Sequence, residues 1–192
     1  MGGHDERAAI YGSGMSKVSP INSKMPAEQM SAIARDILEH EAILLEDQDW
    51  DGWIDLYDPE CVYWVPAWRR DGHLGSNPSR ELSLIYYSSR SGLEDRIVRI
   101  RSGQSAAGLP MPRTTHLVGN VRVDESLSEA GQIHARASFV THIFSPRDNS
   151  SGACFGSYKI ILKRRGADWK ISSKTIVLQN DHIATSLDIY CL

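Results

Sequence analysis

Residues 81–100 read ELSLIYYSSRSGLEDRIVRI, a strand, a turn and a charged helix in succession. Leu82, Leu84 and Tyr86 alternate with Ser83, Ile85 and Tyr87, the period of a strand with two usable faces. Ser91-Gly-Leu-Glu94 then reads as a capping box, in which the hydroxyl and the carboxylate each satisfy a backbone N–H of the first turn. Leu93, Ile97 and Ile100 follow at helical spacing, while Glu94, Asp95, Arg96, Arg99 and Arg101 charge the remaining surface. Gly103 supplies a stop.

On the N-terminal side, residues 1–24 are rich in Gly and Ser and aperiodic, which predicts a flexible tail before a single domain over residues 25–192. Pro26 can open a helix. Met30, Ile33, Ile37, Leu38, Leu44 and Leu45 form its apolar stripe, with Glu39, Glu41 and Glu46 expected outside it. Asp49 is a candidate N-cap for a short second helix carrying Trp53, Ile54 and Leu56, ended by Asp58-Pro59. The run CVYWVPAW, residues 61–68, has the β-branched and aromatic content of a strand. Loops are expected over residues 69–79 and 102–112.

Beyond residue 112 the chain turns β-rich, with strands expected over 113–123, 132–144, 153–162 and 169–178. In the first of these, Thr115, Leu117, Gly119, Val121 and Val123 alternate with Thr114, His116, Val118, Asn120 and Arg122. Turns near Gly131, Asn149 and Gly166 suit antiparallel neighbours. This order predicts an α+β fold, a curved antiparallel sheet wrapping helices into a half-open cone.

At 192 residues and a net charge of −3 the chain suits one domain, with no electrostatic footprint for nucleic acid or an anionic membrane. No run reaches the roughly 18 apolar residues of a membrane helix, and the N-terminus lacks a secretory signal. Cys61, Cys154 and Cys191 are odd in number and far apart. Inert thiols in a reducing cytoplasm fit better than a disulfide framework. Trp50, Trp53, Trp64 and Trp68 crowd into one aromatic wall, either core or interface.

His116, His134 and His142, with Asp124, Asp148 and Asp181, are the metal-ligand candidates. Their spacing matches no ligand motif, and structural strand histidines are the better reading. The paired Cys and His of a Rieske cluster are missing, as is a G-x-S-x-G elbow. The glycines of 103–108 and 152–156 fit no phosphate-binding pattern. Acid–base chemistry could draw on Asp49, Asp55, Tyr57, Tyr63, Tyr86 or His116. Against it, Trp64, Tyr86, Tyr87 and Phe139 are large enough to fill a pocket. No catalytic, cofactor-binding or metal-binding residue is therefore assigned. Arginines beside aromatic residues suit an interface instead, with Trp68, Arg69, Tyr87, Arg96, Arg99 and Arg113 as its candidates.

Four blocks carry a family resemblance: HEAILLEDQDWDGWIDLYDPECVYWVPAW, the opening segment, PRTTHLVGNVRV, and KTIVLQNDHIATSLDIYCL. In order and spacing they resemble the small (β) subunit of aromatic-ring-hydroxylating dioxygenases, the terminal oxygenases of Rieske non-haem iron systems. VPAW, SLIYY and GLEDRI look most like the benzoate, toluate and anthranilate branch. The resemblance runs from about Met30 to Leu192, and the first twenty or so residues extend beyond the usual start of such subunits. It implies the cone of nuclear transport factor 2 and ketosteroid isomerase (cystatin-like), and a non-catalytic structural role in assembly and stability. The Rieske [2Fe–2S] cluster and mononuclear Fe(II) would lie in a large (α) subunit, three of which pack with a trimer of small subunits as α3β3. O2 and NADH, the latter through a reductase and ferredoxin, would drive cis-dihydroxylation of an aromatic carboxylate in aromatic hydrocarbon catabolism. The alternative is a stand-alone isomerase or dehydratase of the same fold, with an Asp/His acid–base pocket.

Overall fold

Helix α1 (Ala27–Glu46) begins behind Pro26, whose fixed φ suits the entry and whose carbonyl accepts the Met30 N–H at 3.0 Å. It opens the computed structural model, which describes residues 25–103, 110–180 and 187–192. The tail expected over residues 1–24 lies outside the described residues. Met30, Ala34, Leu38, Glu41 and Leu45 recur every three or four positions and are all buried. Helix α2 (Trp50–Asp55) starts as expected at Asp49, whose carboxylate accepts the Gly52 N–H at 3.0 Å.

Strand β1 (Tyr57–Pro66) starts four residues earlier than expected and contains Asp58-Pro59. Pro59 is tolerated because the ladder to the neighbouring strand breaks register between Tyr57 and Val62. Strand β2 (Ser83–Tyr87) turns Ile85 and Tyr87 toward the core and leaves Leu84 and Tyr86 exposed. Helix α3 (Arg90–Arg101) corrects the capping box. Its N-cap is Ser89, two residues before Ser91, and the Ser89 hydroxyl lies 2.7 Å from the Ser91 hydroxyl without capping a backbone N–H. Glu94 instead accepts from Arg90 at 2.9 Å, an i,i+4 ion pair along the helix.

Four strands follow: β3 (Arg113–Val123), β4 (Gln132–Ser145), β5 (Ser150–Arg165) and β6 (Asp168–Leu178). They form one sheet ordered β2-β1-β6-β5-β4-β3. Four of its pairings are antiparallel and one, β1 with β6, is parallel, so the curved sheet is mixed. The uninterrupted alternation read for β3 fails at Asn120. A positive φ of 53° and a register shift between Gly119 and Arg122 switch the inward set from His116 and Val118 to Val121 and Val123. Leu117 is therefore exposed.

The inner face of the sheet packs α1 and α3 over a core that includes Trp53, Tyr57, Tyr63, Tyr158, Leu38 and Leu93. Phe139 and Tyr158 stack at 4.3 Å between centroids. At Gly156 β5 and β6 leave no room for a side chain, because a Cβ there would sit 2.0 Å from the Val177 carbonyl oxygen. Residues Ile189–Cys191 close the fold as a buried 3-10 turn. Arg96 of α3 holds that turn through a two-pronged bond to the buried Asp188, with Nε 2.7 Å from Oδ1.

Candidate functional site

The most heavily charged point of the interior joins α1, β1 and β6. Glu41, expected outside the apolar stripe, is buried, because positions 38, 41 and 45 share one helix face. Its partner is Lys174, the same parity along β6 as the buried Ile176 and Leu178. Lys174 Nζ lies 2.8 and 2.9 Å from the two Glu41 oxygens. Tyr57 donates its hydroxyl to Glu41 Oε1, and the Lys174 ammonium sits 4.1 Å from the Tyr158 ring centroid.

Burial raises Tyr57 well above the ordinary phenol range, with the Glu41 charge adding to it, so Tyr57 keeps its proton and acts as a donor. Burial also raises Tyr63 and Tyr158. Lys174 is pulled below its ordinary value by burial, with Glu41 opposing. Both ends of the carboxylate are thus occupied. The cluster works as a clamp between helix and sheet, with no group left to pass a proton to a substrate.

His116 extends this interior. Its backbone N–H donates to Glu46 Oε1 at 2.5 Å; neither ring nitrogen has a hydrogen-bond partner among the described residues, Nδ1 lying 3.7 Å from the same Glu46 oxygen. Burial and then the Lys174 charge pull its pKa down, against Glu46, Glu41 and the Tyr190 backbone, so the ring is neutral near pH 7. Of the acid–base candidates, Tyr57, Tyr63 and His116 face the interior, whereas Asp49, Asp55 and Tyr86 are exposed. Trp53, Tyr57, Tyr63 and Tyr158 fill the space between.

The histidines do not converge. His134 and His142 share the outer face of β4, as their even spacing predicted, and His116 points inward from β3. Asp124 and Asp148 bond to Ser126 and Ser145, and Asp181 lies outside the described residues. Cys61, Cys154 and Cys191 are buried and free. Burial raises Cys61 to about 11 and Cys191 to about 12. Among the described residues no three His, Cys, Asp or Glu side chains group as a metal site, and no helix is long and apolar enough to cross a membrane.

The interface candidates fall into separate places. Tyr87 ends β2, and Arg96 and Arg99 lie on α3, which follows it; burial raises the Tyr87 phenol, with the Arg96 charge opposing. Trp68 follows β1, is 39% exposed, and donates its indole N–H to the Leu178 carbonyl at 2.6 Å. Arg69 bonds to Asp71 and Glu81. Arg113 lies on the strand at the opposite edge of the sheet, 5.9 Å from the Phe144 ring centroid. Arg96 is engaged internally by Asp188.

No sequence motif marks the outer face of β3, β4 and β5. A cavity of about 730 Å³ opens there, lined by Arg122, Arg136, Lys159, Leu127, His134 and Ile161 among others.

Residues 40–185 match the family described as ring hydroxylating beta subunit. The chain belongs to that family. The small subunit of 2-halobenzoate 1,2-dioxygenase from Burkholderia cepacia is 43% identical over 150 residues, spanning 78% of this chain and 88% of that protein. The beta subunit of benzoate 1,2-dioxygenase from Acinetobacter baylyi is 39% identical over 153 residues, 80% of this chain and 88% of that one. The crystal structure of the benzoate 1,2-dioxygenase beta subunit from Burkholderia mallei superposes with a TM-score of 0.68 at 32% identity, covering 84% of this chain and 96% of that chain.

This beta subunit is accordingly a component of a ring-hydroxylating dioxygenase, and its cone is the fold that the resemblance implied. The Rieske cluster and mononuclear iron that the resemblance implies for a large subunit do not fit the donors of this chain. Its cysteines are dispersed and buried, and His116 points inward while His134 and His142 lie on the outer face of the sheet.

Proposed function

We propose that this beta subunit is a structural, non-catalytic part of the terminal oxygenase of a multicomponent dioxygenase acting on an aromatic carboxylate. The single observation that carries this reading is the closed interior. Where a cone of this kind can enclose a pocket, this one is bridged by Glu41, Lys174 and Tyr57 and packed with aromatic rings. What remains for the chain to offer is a rigid body and its surfaces.

In this reading the large subunit holds the Rieske cluster and the mononuclear Fe(II) and performs O2- and NADH-dependent cis-dihydroxylation in the cytoplasm. A reductase, with a ferredoxin in some systems, supplies the electrons. Three beta subunits form a trimer on which three large subunits assemble, closed cyclic symmetry giving each large subunit an equivalent neighbour. Trp68, Arg69, Tyr87, Arg99 and Arg113 are proposed contacts to neighbouring chains. Arg96 supports the same region from within, by fixing the C-terminal turn.

Purification of the chain alone tests this. The isolated subunit is expected to be colourless, to hold no stoichiometric iron, and to turn over no aromatic substrate. Co-expression with its large subunit is expected to give a red-brown complex. One iron per isolated chain, or isomerase or dehydratase turnover by it, would overturn the proposal.

A further inference from the structure

Three cations stand side by side on the outer face of the sheet. Cross-strand register pairs Arg122 with Arg136 and Arg136 with Lys159, so they form a continuous row over β3, β4 and β5. All three are exposed, and none holds an ion pair among the described residues. Like charges directly opposed across strands cost stability. The cost is relieved when an anionic surface covers them. The row borders the cavity of about 730 Å³, whose wall also presents the apolar Leu127 and Ile161, with Asp124 and Glu125 at the end of the wall beyond Arg122. Leu127 is 59% exposed.

The complement is on the same chain. Asp36, Glu39, Ile43 and Asp47 fall on one stripe of α1 and its C-cap, three or four residues apart. The stripe is exposed, its carboxylates hold no ion pair among the described residues, and Ile43 at its centre is 54% exposed. The opposite face of α1 packs on the inner side of the sheet, so a chain cannot bring its own stripe to its own row.

We propose that the acidic stripe of α1 in one copy of this beta subunit docks on the Arg122–Arg136–Lys159 row of the next, with Ile43 entering the neighbouring cavity. Two different patches meeting head-to-tail make a heterologous contact, the kind that closes a ring when the rotation between copies allows. The inference rests on the trimeric reading above, for which it names the two surfaces. An amphipathic helix lying in a groove supplies the contact area, and the charges supply register.

Charge reversal in the complex co-expressed with its large subunit, read by native mass and sedimentation, tests the pairing. Arg122→Glu, Arg136→Glu and Lys159→Glu together, or Asp36→Lys, Glu39→Lys and Asp47→Lys together, are expected to weaken beta–beta association at least ~100-fold. Each places like charges against like, and circular dichroism checks that the exposed substitutions leave the fold intact. Combining both sets in one chain is expected to restore the assembly. Wild-type mass after either reversal, or failure of the combined variant to recover, overturns the inference while the subunit reading stands. Loss of the large subunit on reversing the row, with no effect of reversing α1, overturns it in favour of a large-subunit contact. A wild-type chain that never joins a large subunit instead sinks the reading on which the inference rests.

Discussion

Replacing Lys174 with Met isolates the central clamp. Its side chain is 1% exposed and that of Glu41 2%. With Nζ 2.8 Å from the carboxylate, the gross attraction is roughly 5–6 kcal/mol at the effective dielectric near 20 that reproduces protein data. Removing the ammonium also removes its own desolvation cost. What persists is a buried carboxylate held only by the Tyr57 hydroxyl, and breaking such a pair costs about 3–5 kcal/mol. Met preserves the stem volume and puts a thioether in place of the ammonium over the Tyr158 ring, so cavity formation adds little.

In urea, with a slope of about 2 kcal/mol per molar, the midpoint should fall by roughly 1.5–2.5 M. Tryptophan fluorescence is a suitable probe because Trp53 lies against Tyr57, 4.9 Å between centroids. Glu41→Leu with Lys174→Met and Tyr57→Phe leaves no charge and no orphaned hydroxyl. That triple variant should return to within about 1–2 kcal/mol of the parent. A shift under ~0.5 M for Lys174→Met, or a triple variant as unstable as the summed singles, would show that Glu41 and Lys174 do not form a stabilising clamp.

Gly156→Ala drives a Cβ to 2.0 Å from the Val177 oxygen, so β5 and β6 must part; it should cost above ~3 kcal/mol or abolish soluble expression. Gly152→Ala on the same strand meets nothing within 4 Å and should cost under ~1 kcal/mol; equal stability of the two variants would contradict the close approach. Arg96→Met strands the buried Asp188 and should raise amide exchange of residues 187–192 by at least ~10-fold, with unchanged exchange counting against the tether. For His116 the folded pKa lies below the ordinary histidine value, so the folded state binds fewer protons than the unfolded one. Its contribution to stability therefore declines as pH drops below about 6.5. Urea midpoints at pH 7.5 and 5.5 should differ less in His116→Leu than in the parent, and an identical difference would exclude this residue as the source.

How far the residues could be read ahead of the structure depended on where each interaction closes. The ends of β3, β4 and β6 are legible to within a residue because alternation and turn signals are local, whereas β5 runs three residues past its expected span at both ends. β3 was placed at its true ends, yet its faces were misread after Asn120, since a bulge reverses parity without changing composition. The capping box failed for a related reason. Ser89, Ser91 and Arg90 all compete locally, and the Arg90–Glu94 pair took the carboxylate that the motif needed.

Glu41 and Lys174 are separated by more than a hundred residues in the chain, so no local pattern announces their bond. The signal that existed was parity: a Glu on the apolar stripe of α1, and a Lys in phase with Ile176 and Leu178 of β6. The row of Arg122, Arg136 and Lys159 was equally hidden, because adjacency across strands requires the register. The family was legible, as four blocks in order carry more information than any one site.

If this chain builds an assembly rather than performing chemistry, the native mass of the complex purified after co-expression with its large subunit should be that of one species holding three large and three beta chains, each beta chain contributing 21.4 kDa. A beta chain that elutes alone, while the large subunit assembles and turns over substrate without it, would rule out the structural role.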